Sequence, residues 1–460
     1  MDLTTLDASE LARAIRDGET TALAAVQAVC ARIDRLHPAI NAVVTWDERS
    51  EERAREADAA RARGEPLGPL HGVPVTIKDT IETAGLRTTA GAPPLANHVP
   101  ARDAPAVARL RAAGAIVAGK TNTPTFAARP QTDNPIFGRT NNPWDVTRTP
   151  GGSSGGSCAA VASGMSFLDL GSDMSGSIRF PAAFCGVYGL RPTARRVPVV
   201  GHIPDPPGGA RTDRHLATLG PIARSVRDLA LALRALVTDD RDPRDTEVAP
   251  VPWRDAHVPA PRLAWAATLP GVPVAAAIRA RVAEVAARLG AVSALPDGLT
   301  AHREPWLDHF AAFLHGAKEL YPEVPFATER PAPTLGGVMR TLAARDRIIA
   351  TWEAFFAEHD ALLLPVCPVV AFPHCPPGTP LDVDGTPVES WRIDHLLYPF
   401  SFTGHPTVVL PAGRGADGLP IGIQLVGRRW GDERLLAIAE HVDRIVGGYA
   451  PPPLHDLVAT

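Results

Sequence analysis

Residues 151–179, GGSSGGSCAAVASGMSFLDLGSDMSGSIR, constrain this chain more than any other stretch. Two dense Gly/Ser clusters, Gly151–Ser157 and Gly171–Ser177, flank the apolar connector CAAVASGMSFLDL. Glycine permits positive φ and close backbone approach at a cost in chain entropy. Two such clusters around an apolar segment therefore predict backbone N–H groups and hydroxyls turned toward one place. A flexible Gly/Ser linker would be polar throughout. Val161, Met165, Phe167, Leu168 and Leu170 in the middle argue instead for a folded, functional centre.

Around this centre helix and strand patterns alternate. Residues 7–17 predict a helix with Asp7 or Ser9 as N-cap and Gly18 as stop, and 21–36 a second helix closed by Pro38. AINAVVTW is a strand pattern, and ERSEERAREADAARARG a charged helix ending at Gly64. LHGVPVTIKDTI, with β-branched Val73, Val75 and Ile77, predicts a strand that delivers Lys78 and Asp79 at its end. APAVARLRAAGA (helix) and AIVAGKT (strand) follow, and later RLAWAAT, VAAAIRARVAEVAARLG and AVSAL repeat the alternation. This α-then-β order predicts an α/β fold with a mostly parallel sheet covered by helices. Residues 198–218 and 373–388, rich in Pro and Gly, predict surface loops long enough to carry function.

Composition matters mainly for what it excludes. With 46 Lys and Arg against 50 Asp and Glu, a net charge of −4 points to no nucleic acid or other polyanion. Five scattered cysteines (30, 158, 185, 367, 375) read as reduced thiols in a cytoplasmic protein rather than a disulfide framework. The charged start MDLTTLDASELARAIRDGE has no signal-peptide core, and ALLLPVCPVVAFP is too short and proline-broken for a membrane span.

The chemistry concentrates at Ser177. Met174, Ser175, Gly176 and Ser177 offer consecutive backbone N–H groups, and such a run can form a concavity that stabilises an oxyanion. A serine there needs a base, because an alcohol is a weak nucleophile at neutral pH. No histidine lies within twenty residues of either cluster. Lys78, if buried among apolar neighbours, loses its proton more readily and can serve, with Ser153 as a relay between it and Ser177. Taken singly these residues are ordinary: a strand-end lysine is usually exposed, Ser153 and Ser154 suit a turn, and Ser177 suits a helix cap. Their combination favours acyl transfer.

These segments resemble the amidase signature family of hydrolases: GVPVTIKD (72–79), GKTNTPTFA (119–127), FGRTNNPWD (137–145), GGSSGGS (151–157), GSDMSGSIRFPAAFCGVYGLRPT (171–193) and GPIARSVRDLA (220–230). FTGHPTVVLPAG, DGLPIGIQLVG and DERLLAIAE extend the likeness toward the C-terminus, leaving only about 231–345 without a motif. The resemblance implies one large α/β domain with a central mixed sheet. Its parts would be an N-terminal helical part (1–65), a catalytic core (66–230), a variable substrate-shaping region (231–395) and C-terminal core strands with a helix (396–460). It implies a Ser–cis-Ser–Lys set at Ser177, Ser153 and Lys78, whose serines are 24 positions apart as in the family, with the cis bond at Gly152–Ser153. Gly152, Ser154, Asp173 and Arg179 are expected to support that set. No cofactor or metal is expected. The implied substrate is a small amide with an apolar or aromatic group, anilides, carbamates and esters being open to the same machinery; the implied assembly is a monomer or homodimer. Two departures stand out: Ser175 occupies a position where many members carry glycine, and Arg129-Pro130 follows Phe126 where small residues are common.

Rival readings are weaker. Gly114 to Thr121 fits the pattern GxxxxGK[ST], but its variable positions are strand-like and no helix pattern follows. Gly151-x-Ser153-x-Gly155 fits a nucleophile elbow, which would make Ser153 the nucleophile of an α/β-hydrolase-type esterase but leave Ser177 and Lys78 idle. A glutamine-hydrolysing subunit of a tRNA-dependent amidotransferase is the alternative within the family, and a catalytically dead binding protein conflicts with the intact Lys78, Ser153 and Ser177. Cys367, His374 and Cys375 lack a second ligand pair for a metal. Trp306, Phe310 and Phe313, at helical spacing with Tyr321 and Phe326 beyond, read first as core; the resemblance also implies that this variable region and the loops near 198–218 shape the substrate pocket.

Overall fold

The first helix forms where its caps predict. Asp7 caps α1 (Ala8–Asp17) in a reciprocal box with Glu10, and Gly18 closes it in the left-handed region. α2 (Ala22–Ile40) runs past Pro38, where the sequence suggests closure. So close to the end, proline withholds only one donor, and Asn41 at φ 52 terminates the helix by donating its N–H to His37 O at 2.8 Å. The structure, a computed structural model, describes residues 2–203, 216–237, 242–299, 303–320 and 328–454. Residues 204–215 of the first predicted loop, and Tyr321 and Phe326, lie outside them.

Eleven strands form the central sheet. In chain order they are β1 (Val43–Trp46), β2 (Pro74–Lys78), β3 (Ile116–Thr121), β4 (Leu168–Asp173), β5 (Tyr188–Arg191) and β6 (Thr218–Ala223). β7 (Leu263–Trp265), β8 (Val292–Ser293), β9 (Ala361–Pro365), β10 (Thr407–Arg414) and β11 (Pro420–Gly427) complete it. Across the sheet the order is β1-β3-β2-β4-β6-β5-β10-β11-β9-β7-β8. The intervening helices are α3 (Ser50–Ala62), α4 (Pro105–Ala112), α5 (Gly155–Ala162), α6 (Arg179–Cys185) and α7 (Val226–Leu236). α8 (Ala276–Leu289), α9 (Arg303–Leu320), α10 (Leu335–Glu358), α11 (Tyr398–Thr403) and α12 (Asp432–Val446) follow.

The sheet is mixed, as the family likeness implies, but not mostly parallel. Six of its ten neighbour pairs are antiparallel. The α-then-β order does make β4 and β5 run the same way, yet β6 slots between them in the opposite direction. β10 and β11 are joined by the short segment 415–419, which permits only an antiparallel pair. The Gly114–Thr121 segment is strand β3 and leads into extended chain, not a helix.

Both faces of the centre are covered. All five residues of β2 are buried, so its alternation separates an apolar face from a polar one, not core from solvent. Val161, Met165, Phe167, Leu168 and Leu170 of the connector are inaccessible to solvent, each burial favouring folding by roughly 1.5–3 kcal/mol before entropy is charged against it. α5 packs on β2, β4 and α6. Its Gly156 lies so close to β3 that a Cβ would stand 2.4 Å from Asn122 N, which is why that glycine cannot be replaced without moving helix from strand. The 373–388 loop contains a small antiparallel hairpin, Leu381–Val383 against Thr386–Val388. Among the described residues no helix is long and apolar enough to cross a membrane.

Candidate active site

Lys78 ends β2, two residues from Thr76 and therefore on the same face. Its side chain is wholly buried. Nζ lies 2.6 Å from Ser153 Oγ, 2.8 Å from Ser172 Oγ and 3.5 Å from Ser172 O. Burial, only partly countered by the charges of Asp173 and Asp169, lowers its pKa from 10.5 to about 7. A large fraction of the amine is then neutral at neutral pH, within hydrogen-bond distance of two hydroxyls.

The two Gly/Ser clusters meet as the sequence suggests. Ser154 N donates to Ser177 O at 3.0 Å, and Ser154 Oγ to Ser172 O at 3.2 Å. The Gly152–Ser153 peptide is cis, and Gly152 lies against the 129–131 backbone, where a Cβ would stand 2.6 Å from Arg129 O. Gly176 adopts φ +135, a conformation that favours glycine.

Asp173 organises the turn that carries Ser177. Its carboxylate accepts from Gly176 N at 2.9 Å, Ile178 N at 3.1 Å and Arg179 Nη2 at 2.8 Å, with Arg191 Nε 3.7 Å away. Burial opposes its ionisation, but Arg179 and then Arg191 hold the carboxyl at about 2. Arg179 in turn donates to Leu397 O and Ser401 Oγ, tying the turn to α11. One expectation changes here: of the four amides predicted to face an oxyanion, that of Gly176 is taken by Asp173. The amides of Met174, Ser175 and Ser177 have no protein acceptor among the described residues.

Ser153 and Ser177 line one cavity of about 390 Å³. No hydrogen bond joins their hydroxyls in the structure; Ser153 Oγ is instead hydrogen-bonded to Lys78 Nζ. Trp306, Phe310 and Phe313 of α9 pack into the core, as their spacing predicts, and also form a wall of this cavity. They remain largely buried because they also stack on one another and on Tyr398, whose ring centroid lies 3.9 Å from that of Trp306. Arg129 and Trp391 border both this cavity and an outer chamber of about 550 Å³ that also contains Arg139, His374 and Cys375. Cys367 lies apart, its thiol donating to Val369 O.

Sequence reasoning missed three site residues. Ser172 shares Lys78 with Ser153; its place inside the second cluster was the available signal. Asp169 sits on β4 beside Thr76 and acts on Lys78 through its charge. Asp394 lines the cavity facing Ser175, and burial pushes its carboxyl up to about 7; nothing in its local sequence marks it. Of the histidines, His202 borders the cavity, His405 is buried against Trp352 and Phe356, and His215 lies outside the described residues.

Comparison with known proteins follows the same outline. The family model described as Amidase matches residues 24–294 and 334–436. A glutamyl-tRNA(Gln) amidotransferase subunit of Moorella thermoacetica is 36% identical over 95% of this chain and 96% of its own. An acylamidase of Rhodococcus erythropolis is 34% identical over 96% of this chain and 95% of its own. The solved structure of a bacterial aryl acylamidase of the amidase signature enzymes superposes with a TM-score of 0.83 at 25% identity, covering 99% of this chain and 98% of that one. Fold, motifs and relatives agree: the chain belongs to the amidase signature family of C–N hydrolases.

Proposed function

We propose that this protein hydrolyses small-molecule amides bearing an apolar or aromatic group, through a Ser177 acyl-enzyme. The observation that carries the reading is a buried amine, Lys78 Nζ, 2.6 Å from Ser153 Oγ at a cavity that Ser177 also lines. Neutral Lys78 takes the proton of Ser153, and Ser153 takes that of Ser177 as its Oγ attacks the carbonyl. The amides of Met174, Ser175 and Ser177 receive the oxyanion. The proton returns through Ser153 to the departing amine, and water repeats the cycle on the acyl-enzyme. Gly152, Ser154, Asp173 and Arg179 hold the two clusters in register for these transfers. Anilides, esters and carbamates present the same carbonyl to the same groups.

The aromatic wall of α9 favours an apolar or aromatic substrate group. A second reading, glutamine hydrolysis within an amidotransferase complex, is favoured by the names of several relatives. It is also favoured by the Arg129 guanidinium and the Asp394 carboxyl on the cavity lining, groups suited to meet the carboxylate and ammonium of an amino acid. A hydrolysis screen of aryl and alkyl amides, anilides, esters, carbamates and glutamine, with wild type beside Ser177→Ala, decides between them. Anilide or aryl-amide turnover lost in Ser177→Ala is the expected result. Ammonia release from glutamine alone would favour the second reading, and activity retained in Ser177→Ala would overturn both.

A further inference from the structure

When Lys78 accepts a proton it becomes an ammonium ion in a buried site, and a buried charge is costly unless an opposite charge meets it. Two carboxylates act on its amine, Asp173 and Asp169. Asp173 is already engaged: Arg179 binds both of its oxygens at 2.8 and 3.0 Å, and Arg191 stands 3.7 Å off. That trio carries two positive charges against one negative.

Asp169 is placed differently. It pairs with Thr76 across the parallel β2–β4 register, beneath the residue pair that ends in Lys78. Oδ2 accepts from Thr76 Oγ1 at 2.6 Å and from Thr121 Oγ1 at 2.9 Å, and Ser157 Oγ of α5 lies 2.9 Å from Thr121 Oγ1. Oδ1 is buried with no hydrogen-bond partner, and among the described residues no cation pairs with this carboxylate. The other titratable groups around it are Cys158 of α5 and Lys120 of β3. Burial pushes the Cys158 thiol well above its ordinary value, so it stays neutral. Lys120 is held by Ile81 O, Thr83 Oγ1 and Thr88 Oγ1, with Asp79 the carboxylate that acts on it most strongly.

We propose that Asp169 is a positioning residue of the reaction, the counter-charge for the Lys78 ammonium that forms as Ser177 attacks, held ready by the Thr76, Thr121 and Ser157 hydroxyls. The inference rests on Lys78 being the base. Asp169 takes no proton in the cycle: the proton moves from Ser177 to Ser153, from Ser153 to Nζ, and back to the leaving group. Burial lifts the Asp169 carboxyl to about 6, so it is largely ionised in the range where Lys78 works. A buried carboxylate facing only hydroxyls weakens the fold more than an apolar residue would; in this reading the ammonium is what it waits for.

The test uses phenylmethanesulfonyl fluoride, whose attack by Ser177 forms an S–O bond, expels fluoride and needs the same proton removal without any natural substrate. The second-order inactivation rate is measured from pH 5.5 to 9 for wild type, Asp169→Asn, Thr121→Val and Lys78→Ala, with folding checked by near-UV circular dichroism. For Asp169→Asn the rate at pH 8 is expected to fall at least about tenfold. Its acid limb is expected to move down by about one pH unit, because an amine without its carboxylate sheds the proton more easily. Thr121→Val, which keeps the carboxylate but removes a donor, should shift the limb the same way by less, and decides the matter if Asp169→Asn does not fold. A folded Asp169→Asn whose limb stays in place, whatever its rate, overturns the proposal, since a structural defect alone leaves the limb unmoved. A Lys78→Ala protein inactivated at the wild-type rate would instead overturn the base assignment beneath it.

Discussion

Titrating the enzyme across neutrality tests the base directly. An amine with the ordinary pKa of 10.5 would be neutral in only roughly one molecule in three thousand at pH 7, whereas burial brings Lys78 to about 7 and the neutral fraction to about one half. If that neutral form is the one that reacts, kcat/KM falls with acid as a single deprotonation: roughly a tenth of its plateau at pH 6 and flat above about pH 8. The assay is initial rates on an amide identified by the screen, from pH 5.5 to 9.5 at constant ionic strength, with folding checked at each end. Because imidazole titrates in the same range, the profile is repeated with His202→Asn, the histidine that borders the cavity. The acid limb should persist in that variant, while Lys78→Ala loses at least about a hundredfold in kcat. A limb centred above pH 9 would mean that Lys78 is not desolvated as the structure has it. A folded Lys78→Ala enzyme with wild-type turnover would refute the mechanism.

Other consequences are simpler to state. Sulfonylation should appear on Ser177 in peptide mass spectrometry; labelling of Ser153 instead would favour the elbow reading. Arg179→Gln leaves Asp173 buried with its nearest cation gone and should cost about 3–5 kcal/mol in denaturant unfolding. In the wild type, Asp173 is held at about 2 against an ordinary 3.8, so its contribution is present above about pH 4 and lost as pH falls toward 2. An unchanged midpoint for Arg179→Gln would refute that account. Lys78 ionises oppositely: its folded pKa lies below its unfolded one, so between about pH 7 and 10 the wild type should gain stability relative to Lys78→Met by up to roughly 1.4 kcal/mol per pH unit. A difference independent of pH in that window would show Lys78 to be charged in the fold. Phe310→Ala should raise KM for aryl amides more than for acetamide, and equal changes would place the aryl group elsewhere.

Local chemistry was legible wherever one short segment sets it. Asp7 and Gly18 bound α1 because caps are local. The Gly/Ser clusters announced their meeting because only close packing justifies so many glycines, and Lys78 could be placed at a strand end from periodicity alone. Pro38 misled because a helix tolerates proline where little of the hydrogen-bond ladder remains. The sheet's direction was harder, since β6 enters between β4 and β5 from a later part of the chain that no local pattern ties to that slot. The aromatic face of α9, which packs on α10 and α11, and Asp394, far from Ser177 in sequence, reach the cavity only through tertiary structure. A stripe at helical spacing says that a face is covered, not whether a neighbouring helix or an open chamber covers it.

The position of α9 has a consequence for how such an enzyme changes. The matched family segments stop at 294 and resume at 334, so the wall formed by Trp306, Phe310 and Phe313 stands in chain that the shared pattern skips. The groups proposed to react sit elsewhere, on β2, β4 and the segments leading into α5 and α6. In the proposed mechanism, recognition and proton transfer thus fall on separate stretches of polypeptide. If the proposed mechanism holds, a library of substitutions confined to the cavity-facing positions of α9 is expected to exchange one amide preference for another while Ser177 keeps its rate of sulfonylation, which would open new specificities to this scaffold without rebuilding its chemistry.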